Sequence, residues 1–124
     1  MRQITRSAAR YAPGTPQEPL ADLGNARRFL AHRGWILRYV PSWKKWLIWD
    51  GTRWTVDELN KVTNLAKDTL RNLYAELPRI ENPENRESFA RHIARSESHS
   101  RIVDMLKLAE SEPGIAVTSA QSKA

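Results

Sequence analysis

The fold is decided by residues 39–54, which read Tyr39-Val40-Pro41-Ser42-Trp43-Lys44-Lys45-Trp46-Leu47-Ile48-Trp49-Asp50-Gly51-Thr52-Arg53-Trp54. This stretch holds four of the five tryptophans of the chain. Its Asp-Gly dipeptide is typical of a tight hairpin, because a type I′ turn needs a positive φ at both central residues. The flanking residues are β-branched or aromatic, as strands prefer. The stretch therefore predicts a hairpin with strands over Lys45–Trp49 and Thr52–Val56.

The length of the hairpin loop decides which side chains share a face. A two-residue loop places Trp49 opposite Thr52 and Leu47 opposite Trp54. One face then holds Leu47, Trp49 and Trp54, and the other holds Trp46, Ile48 and Arg53. A three-residue loop with a bulge shifts this register, and the sequence does not choose between the two loops.

Two interpretations of the tryptophans compete. In the first they form the core, because a small domain needs large apolar side chains to bury enough surface. In the second some of them interleave with Lys44, Lys45 and Arg53 as a surface that stacks on bases and binds phosphates. Trp43 is the strongest candidate for exposure, since it lies between a Pro-Ser turn and two lysines.

Length and composition limit the class of protein. The 124 residues are enough for one domain with a modest core. The absence of cysteine excludes a disulfide framework and cysteine-ligated zinc. We find no apolar run of membrane-spanning length and no apolar segment of a signal peptide near the N-terminus. We expect a soluble cytoplasmic protein of a bacterial host or a phage-infected cell.

The net charge of +6 is unevenly distributed. Residues 1–55 carry ten Lys/Arg and three acids, which is +7, whereas residues 56–124 carry ten Lys/Arg and eleven acids, which is −1. A basic excess confined to one part of a fold is typical of a polyanion-binding site. Plain solubility is the alternative explanation of the same charge.

Apolar periodicity predicts the remaining elements. Residues 1–19 read as a disordered basic arm or linker, and 118–124 as a disordered tail. Helices are predicted over Leu20–Arg33, Asp57–Leu77, Asn85–Arg95 and Ser100–Ser111, with a first strand over Ile36–Val40. We therefore predict an α+β domain over residues 20–117, in which a small three-stranded antiparallel meander packs with about four helices in the order helix-β-β-β-helix-helix-helix.

Each predicted helix has its own apolar stripe. The second helix begins with Asp57 as its N-cap, carries Leu59, Val62, Ala66, Leu70, Leu73 and Leu77, and ends before Pro78. The third has Phe89, Ala90, Ile93 and Ala94 facing inward. The fourth has Ile102, Met105, Leu106 and Ala109. Ser96-Glu97-Ser98 separates the last two helices, because serine favours helix ends.

Motifs of catalysis are missing. There is no Gly-x-x-x-x-Gly-Lys-Ser/Thr loop to hold nucleotide phosphates, no Asp-x-Asp pair for two metals, and no Gly-x-Ser-x-Gly elbow. The histidines are His32, His92 and His99, and the last two lie on either side of the predicted helix break, without a third ligand. We expect no enzyme activity, no cofactor, no metal and no small-molecule substrate.

Three segments carry a family resemblance. They are Asp22-Leu23-Gly24-Asn25-Ala26-Arg27-Arg28-Phe29, the stretch from Tyr39 to Trp54, and Ser96-Glu97-Ser98 with the following Arg101-Ile102 and Met105-Leu106. Together they resemble the domain that precedes the helicase in phage, plasmid and poxvirus-type primase–helicases. The resemblance covers residues 20–117. The family motif positions present are Asn25, Arg28, Trp43, Trp46, Asp50, Gly51, Arg53 and Trp54.

The resemblance implies a role in replication. In that family the domain links an N-terminal primase to a superfamily-three hexameric helicase, and it engages DNA at the entrance of the ring or organises the ring. After Val117 the family continues into an ATPase, whereas this chain continues as Thr-Ser-Ala-Gln-Ser-Lys-Ala. We therefore expect either an excised domain or a free-standing derivative, and we carry over neither unwinding nor priming.

Two functional hypotheses follow. The first is a DNA-binding or DNA-organising accessory domain of a replicative primase–helicase, acting on single-stranded or forked DNA. Its predicted nucleic-acid contacts are Arg27, Arg28, Arg38, Trp43, Lys44, Lys45 and Arg53.

The second is a free-standing regulator from a phage or another mobile element, such as a helicase inhibitor or an anti-CRISPR protein, that binds a helicase subunit or another protein complex. Its predicted partner contacts are Arg91, Arg95 and Arg101.

Overall fold

A computed structural model describes residues 22–123 as an α+β domain, which confirms the predicted class and element order. The elements are α1 (Asp22–Arg33), β1 (Leu37–Val40), β2 (Lys45–Trp49), β3 (Trp54–Val56), α2 (Lys61–Leu73), α3 (Pro83–Ser96) and α4 (His99–Ala109). Short 3₁₀ turns cover Gly34–Ile36, Tyr74–Arg79 and Gln121–Lys123. The predicted arm over residues 1–19, the predicted helix start at Leu20, and Ala124 lie outside the described residues.

The sheet is an antiparallel meander in the order β1-β2-β3. Trp49 pairs with Trp54 and Leu47 with Val56, so the hairpin loop has four residues and both predicted loop lengths were wrong. The cause lies in Asp50, whose Oδ1 accepts hydrogen bonds from the Thr52 N–H, the Thr52 hydroxyl and the Arg53 N–H, all at 2.9 Å. This side-chain turn, with Gly51 at a φ of 106°, replaces the expected two-residue turn.

The predicted side chains share a face of the hairpin, although the loop is longer than predicted. The observed pairing differs by two residues from that of the two-residue loop, and the side-chain period of a strand is also two. Leu47, Trp49 and Trp54 therefore share one face, as predicted. Trp46 and Ile48 lie on the opposite face and pack against the helical core. Arg53 lies in the loop, because β3 begins at Trp54 and not at Thr52.

The outer edge of β1 is covered by the C-terminal part of the domain. The Tyr39 N–H donates to the Ile115 carbonyl, and the Val117 N–H donates to the Tyr39 carbonyl, both at 2.9 Å. These bonds form a parallel bridge between Tyr39 and Ala116. Ile115 is fully buried, so the segment after α4 is part of the fold.

Helix α2 is shorter than predicted at both ends. Its first turn is capped by Asp57, whose carboxylate accepts from the Lys61 N–H at 2.8 Å and the Val62 N–H at 2.9 Å, while Asn60 occupies the N-cap position in a left-handed conformation. Leu59 therefore precedes the helix and is 74% exposed, contrary to its predicted place in the stripe. At the other end the α-helix stops at Leu73 and continues as the 3₁₀ turn that includes Pro78.

Helices α3 and α4 meet at the predicted break. The Asn82 side chain caps α3 by accepting from two backbone N–H groups, so the helix begins at Pro83 and not at Asn85. Ala94 is exposed and not inward as predicted, because His92 and Ser96 take the buried positions beside Ile93. The stripe of α4 is confirmed in full: Ile102, Met105, Leu106 and Ala109 are all buried.

The core lies between the helices and one face of the sheet. Its largest fully buried apolar side chains are Phe29, Leu37, Leu70, Leu73, Ile93, Met105 and Ile115. Burying a side chain of this size stabilises the fold by about 1.5–3 kcal/mol, before the cost of ordering it. Within residues 22–123, none of the helices combines the length and the apolar character needed to cross a membrane.

A buried polar cluster joins α1 to α3. Asn25 Nδ2 donates to Ser96 Oγ at 2.9 Å, and Asn25 Oδ1 lies 2.9 Å from His92 Nε2 and 3.4 Å from Arg28 Nη1. Since this oxygen can only accept, the network places a proton on His92 Nε2. Burial, and then the Arg28 cation, lower the pKa of His92 to about 4. His92 is therefore neutral in the folded protein near pH 7.

The low pKa of His92 makes stability depend on pH. The unfolded chain binds a proton at this residue near pH 6.5 and the folded protein only near pH 4, so acid favours unfolding between these values. We expect the free energy of unfolding to be highest above pH 6.5 and to lose up to about 3 kcal/mol by pH 4 through this group. Urea unfolding at several pH values measures the loss.

His92→Gln keeps an amide donor in the cluster and removes the titration, so its stability should fall less steeply between pH 6.5 and 4. His99→Gln, at an exposed position, is the matched control and should follow the parent protein. An unchanged pH profile in His92→Gln would contradict this account.

Candidate nucleic-acid interface

The turn between β1 and β2 presents an exposed tryptophan and two exposed lysines. Its backbone is held by hydrogen bonds from the Trp43 N–H to the Val40 carbonyl and from the Lys44 N–H to the Pro41 carbonyl, both 3.1 Å. Trp43 is 41% exposed, and Lys44 and Lys45 are exposed beside it. We refer to Trp43, Lys44 and Lys45 as the basic turn. The expectation that Trp43 is the exposed tryptophan of the hairpin is confirmed.

Lys44 has an unusual backbone conformation. Its φ is 54°, in the left-handed region that residues other than glycine rarely occupy. Such residues cost free energy and are found disproportionately at functional sites. Here the conformation lets the chain reverse direction tightly between Pro41 and Lys45, and it leaves both lysine side chains at the end of the sheet.

Arg53 lies apart from the basic turn. It is in the loop at the far end of β2, which is about 14 Å long at the usual rise per residue. Its side chain is 81% exposed and lies 3.9 Å from the Asp50 carboxylate. The hairpin therefore does not bring Arg53 together with Lys44 and Lys45.

Two of the predicted phosphate-binding arginines are buried. Arg28 lies inside the polar cluster, with its guanidinium carbon 5.5 Å from the ring centre of Phe89. Arg38 lies 5.0 Å over the ring of Trp54, and its Nη1 donates to the carbonyls of Gly34 and Leu37 at 3.1 and 2.6 Å. Burial lowers the pKa of Arg38. Both guanidinium groups hold the fold together, and we leave them out of the interface.

The remaining predicted contacts are exposed but distributed over other surfaces. Arg27 is on α1, with its Nε 3.1 Å from a Glu112 oxygen. On α3, Arg91 pairs with Glu87 at 3.0 Å, and Arg95 is exposed one turn later. Arg101, near the start of α4, lies 3.5 Å from Asp22. Exposed ion pairs of this kind contribute little to stability, so these arginines are not explained as structural residues in the way that Arg28 and Arg38 are.

Trp35 is an exposed aromatic residue that sequence reasoning missed. It is 51% exposed, more than any other tryptophan among the described residues, and lies in the 3₁₀ turn between α1 and β1. A signal was present in the sequence. Trp35 follows the glycine that ends the first helix and precedes the first strand, so neither apolar pattern gives it a buried position.

The titratable side chains of residues 22–123 form no group of three or more that could hold a metal ion. The hydroxyl and imidazole of Ser96 and His92 are close, with 3.4 Å between Ser96 Oγ and His92 Nε2. However, Ser96 Oγ donates to the His92 carbonyl at 2.8 Å, and both side chains are buried. We interpret this pair as part of the polar cluster.

Replacing Arg38 with lysine tests its structural role. Arg38→Lys keeps the charge but loses the planar group that stacks on Trp54 and donates to two carbonyls. We expect the free energy of unfolding to fall by about 1–2 kcal/mol, measured by urea unfolding with tryptophan fluorescence. Nucleic-acid affinity of the folded protein should stay unchanged. A stable variant that had lost affinity would return Arg38 to the interface.

Comparison with known proteins gives one family. No curated protein and no solved structure matches this chain. The family model described as D5 N terminal like matches residues 26–123, which include the basic turn, all the strands, and Arg28, His92 and Ser96 of the polar cluster. This family is the domain that precedes the helicase in primase–helicase proteins. The chain belongs to the D5 N-terminal-like family and is thereby associated with primase–helicase-type replication proteins.

Proposed function

We propose that this chain is a non-catalytic, DNA-binding accessory domain of a primase–helicase-type replication protein, and that the basic turn is its DNA contact. The observation that carries this proposal is an exposed tryptophan followed directly by two exposed lysines on a rigid turn. The family membership supplies the replication context.

The chemistry of the basic turn suits an unpaired strand. An exposed indole stacks on any base, since every base has a π-face, and the ammonium groups of Lys44 and Lys45 neutralise neighbouring phosphates. Each lysine ammonium acts as a mobile point charge, whereas an arginine guanidinium presents several donors in a fixed plane. Binding of this kind tolerates any sequence and weakens as salt rises.

The position of the turn supports a role beside a helicase. Residues 115–117 run parallel to β1, so they head toward the end of the sheet that carries Pro41 and the basic turn. In the family the helicase follows this domain. DNA held by the basic turn would therefore lie on the side from which the family's chain continues.

Removing both lysines should weaken single-stranded DNA binding and its salt dependence. For Lys44→Ala/Lys45→Ala we expect the slope of log affinity against log salt to fall by about 1.4, since each phosphate contact on a single strand contributes about 0.7. Fluorescence anisotropy with a labelled oligonucleotide at about 50 and 200 mM salt measures both slopes, and the parent affinity should fall about tenfold over this range.

Lys67→Ala/Lys107→Ala is the matched control, because it removes the same charge from exposed positions on α2 and α4. Its affinity should stay close to that of the parent. Equal losses in both double variants would mean that only net charge matters. No binding by the parent at low salt would refute the DNA contact and direct attention to a protein partner.

Trp43→Ala tests stacking separately from charge. We expect about fivefold or greater loss of affinity with an unchanged salt slope, because a stacked base contributes about 1–3 kcal/mol and no counterion. Quenching of tryptophan fluorescence by the oligonucleotide, compared between Trp43→Phe and Trp35→Phe, identifies the stacked ring. Quenching that disappears only in Trp35→Phe would move the contact to Trp35.

A further inference from the structure

Among residues 22–123, no segment pairs with the outer edge of β3. Hydrogen bonds from the Asp57 N–H to the Trp46 carbonyl, and from the Asp50 N–H to the Arg53 carbonyl, fix which pairs are hydrogen-bonded. Because such pairs alternate along an antiparallel ladder, Thr55 points its backbone groups at β2, whereas Trp54 and Val56 point theirs away from the sheet. Within residues 22–123 no hydrogen bond reaches the outward groups of Trp54 or Val56.

A groove of about 460 Å³ lies along this edge. Its lining includes the cross-strand pair of Ile48 in β2 and Thr55 in β3, and it continues along the chain through Val56 to Leu59. The groove therefore lies over β2 and β3 and reaches the segment that follows the free edge strand. The opposite edge of the sheet, on β1, has no such opening at Tyr39, because residues 115–117 pair there.

The groove has an exposed apolar side. Val56 is 40% exposed and Leu59 is 74% exposed. Leu59 cannot turn into the core as a helical residue would, because the Asp57 cap and the left-handed Asn60 hold it before the start of α2. An exposed leucine and valine beside free backbone donors offer both parts of a strand-addition site: main-chain pairing and side-chain contact.

The charge of the groove is negative, although the whole chain is positive. Its lining contributes the carboxylates of Asp50, Asp57 and Glu58 and the ammonium of Lys61. Hydrogen bonds to backbone N–H groups hold the first two carboxylates in place. These bonds also lower the pKa of Asp50, so its charge persists into mildly acidic solution. Fixed carboxylates repel a polyanion and attract cationic side chains.

We propose that this edge groove binds an extended basic segment of a partner protein, which adds to β3 as a further strand. Its backbone pairs with the outward groups of Trp54 and Val56. Its apolar side chains contact Val56 and Leu59, and its lysine or arginine side chains face the carboxylates. This site is independent of the proposed DNA contact, because it uses other residues and the opposite sign of charge.

Amide hydrogen exchange with a synthetic peptide tests the pairing directly. The probe is acetylated and amidated Lys-Val-Lys-Val-Lys-Val. With free peptide at ten times its Kd, exchange of the Trp54 and Val56 amides should slow about tenfold. The Thr55 amide already pairs with β2 and serves as the internal control, so its exchange should change least. The peptide Glu-Val-Glu-Val-Glu-Val should protect none of them.

Val56→Pro removes the N–H that points away from the sheet, because proline lacks this donor. It breaks no hydrogen bond to β2, because this N–H does not pair with that strand. It should weaken binding of the basic peptide about fivefold or more, whereas Val56→Thr keeps the N–H and should retain most of the affinity. Glu58→Gln should weaken binding about threefold at low salt. Circular dichroism verifies that each variant is folded.

Either of two results would overturn the proposal. The first is that the basic peptide binds and slows exchange of other amides but not of the Trp54 and Val56 amides. The second is equal affinity of the basic and acidic peptides for the parent protein. Neither depends on the proline variant being folded, and neither involves DNA. Failure of the peptide site is therefore distinguishable from failure of the proposed function.

Discussion

The fold depends on burying a cation together with its polar partners between α1 and α3. Arg28, Asn25, His92 and Ser96 are all removed from water, and an unpaired polar group there would cost more than a hydrogen bond normally contributes. The amide oxygen of Asn25 accepts from two donors, Arg28 Nη1 and His92 Nε2, and His92 is neutral. Such a network fixes the rotation of α1 on α3 in a way that apolar contacts alone would not. Asn25 and Arg28 are thereby explained as structural residues of α1.

Much of the architecture was predictable, because it follows from local chemistry. The limits of β2, the apolar stripe of α4 and the break at Ser96–Ser98 depend on periodicity and capping, which the sequence displays. The shared face of Leu47, Trp49 and Trp54 was also predictable, although the loop length was not. That length depends on one carboxylate, Asp50, bonding to the two residues that follow Gly51.

The candidate site was less predictable, because charge alone does not reveal burial. Arg38 lies in a strand whose apolar and polar residues alternate only weakly. The ring of Trp54 and two backbone carbonyls make its burial possible. The two carbonyls are local, at Gly34 and Leu37, but the ring of Trp54 reaches Arg38 only through the pairing of the three strands. Trp43 and Lys44, in contrast, lie in a turn, and the preceding proline and serine predict that this turn is exposed. The outcome is a sheet with its exposed lysines at one end of β2 and the fixed carboxylate of Asp50 at the other, while Asp57 lies opposite Trp46.

The parallel bridge at Tyr39 has a mechanical consequence. A pull on the chain beyond Val117, directed along residues 115–117, loads the two hydrogen bonds to Tyr39 side by side and not one after the other. Bonds arranged in this shear geometry share the force, and the buried Ile115 must leave the core before they separate. Tension from a segment following this domain would therefore pass into β1 and the sheet, next to the basic turn.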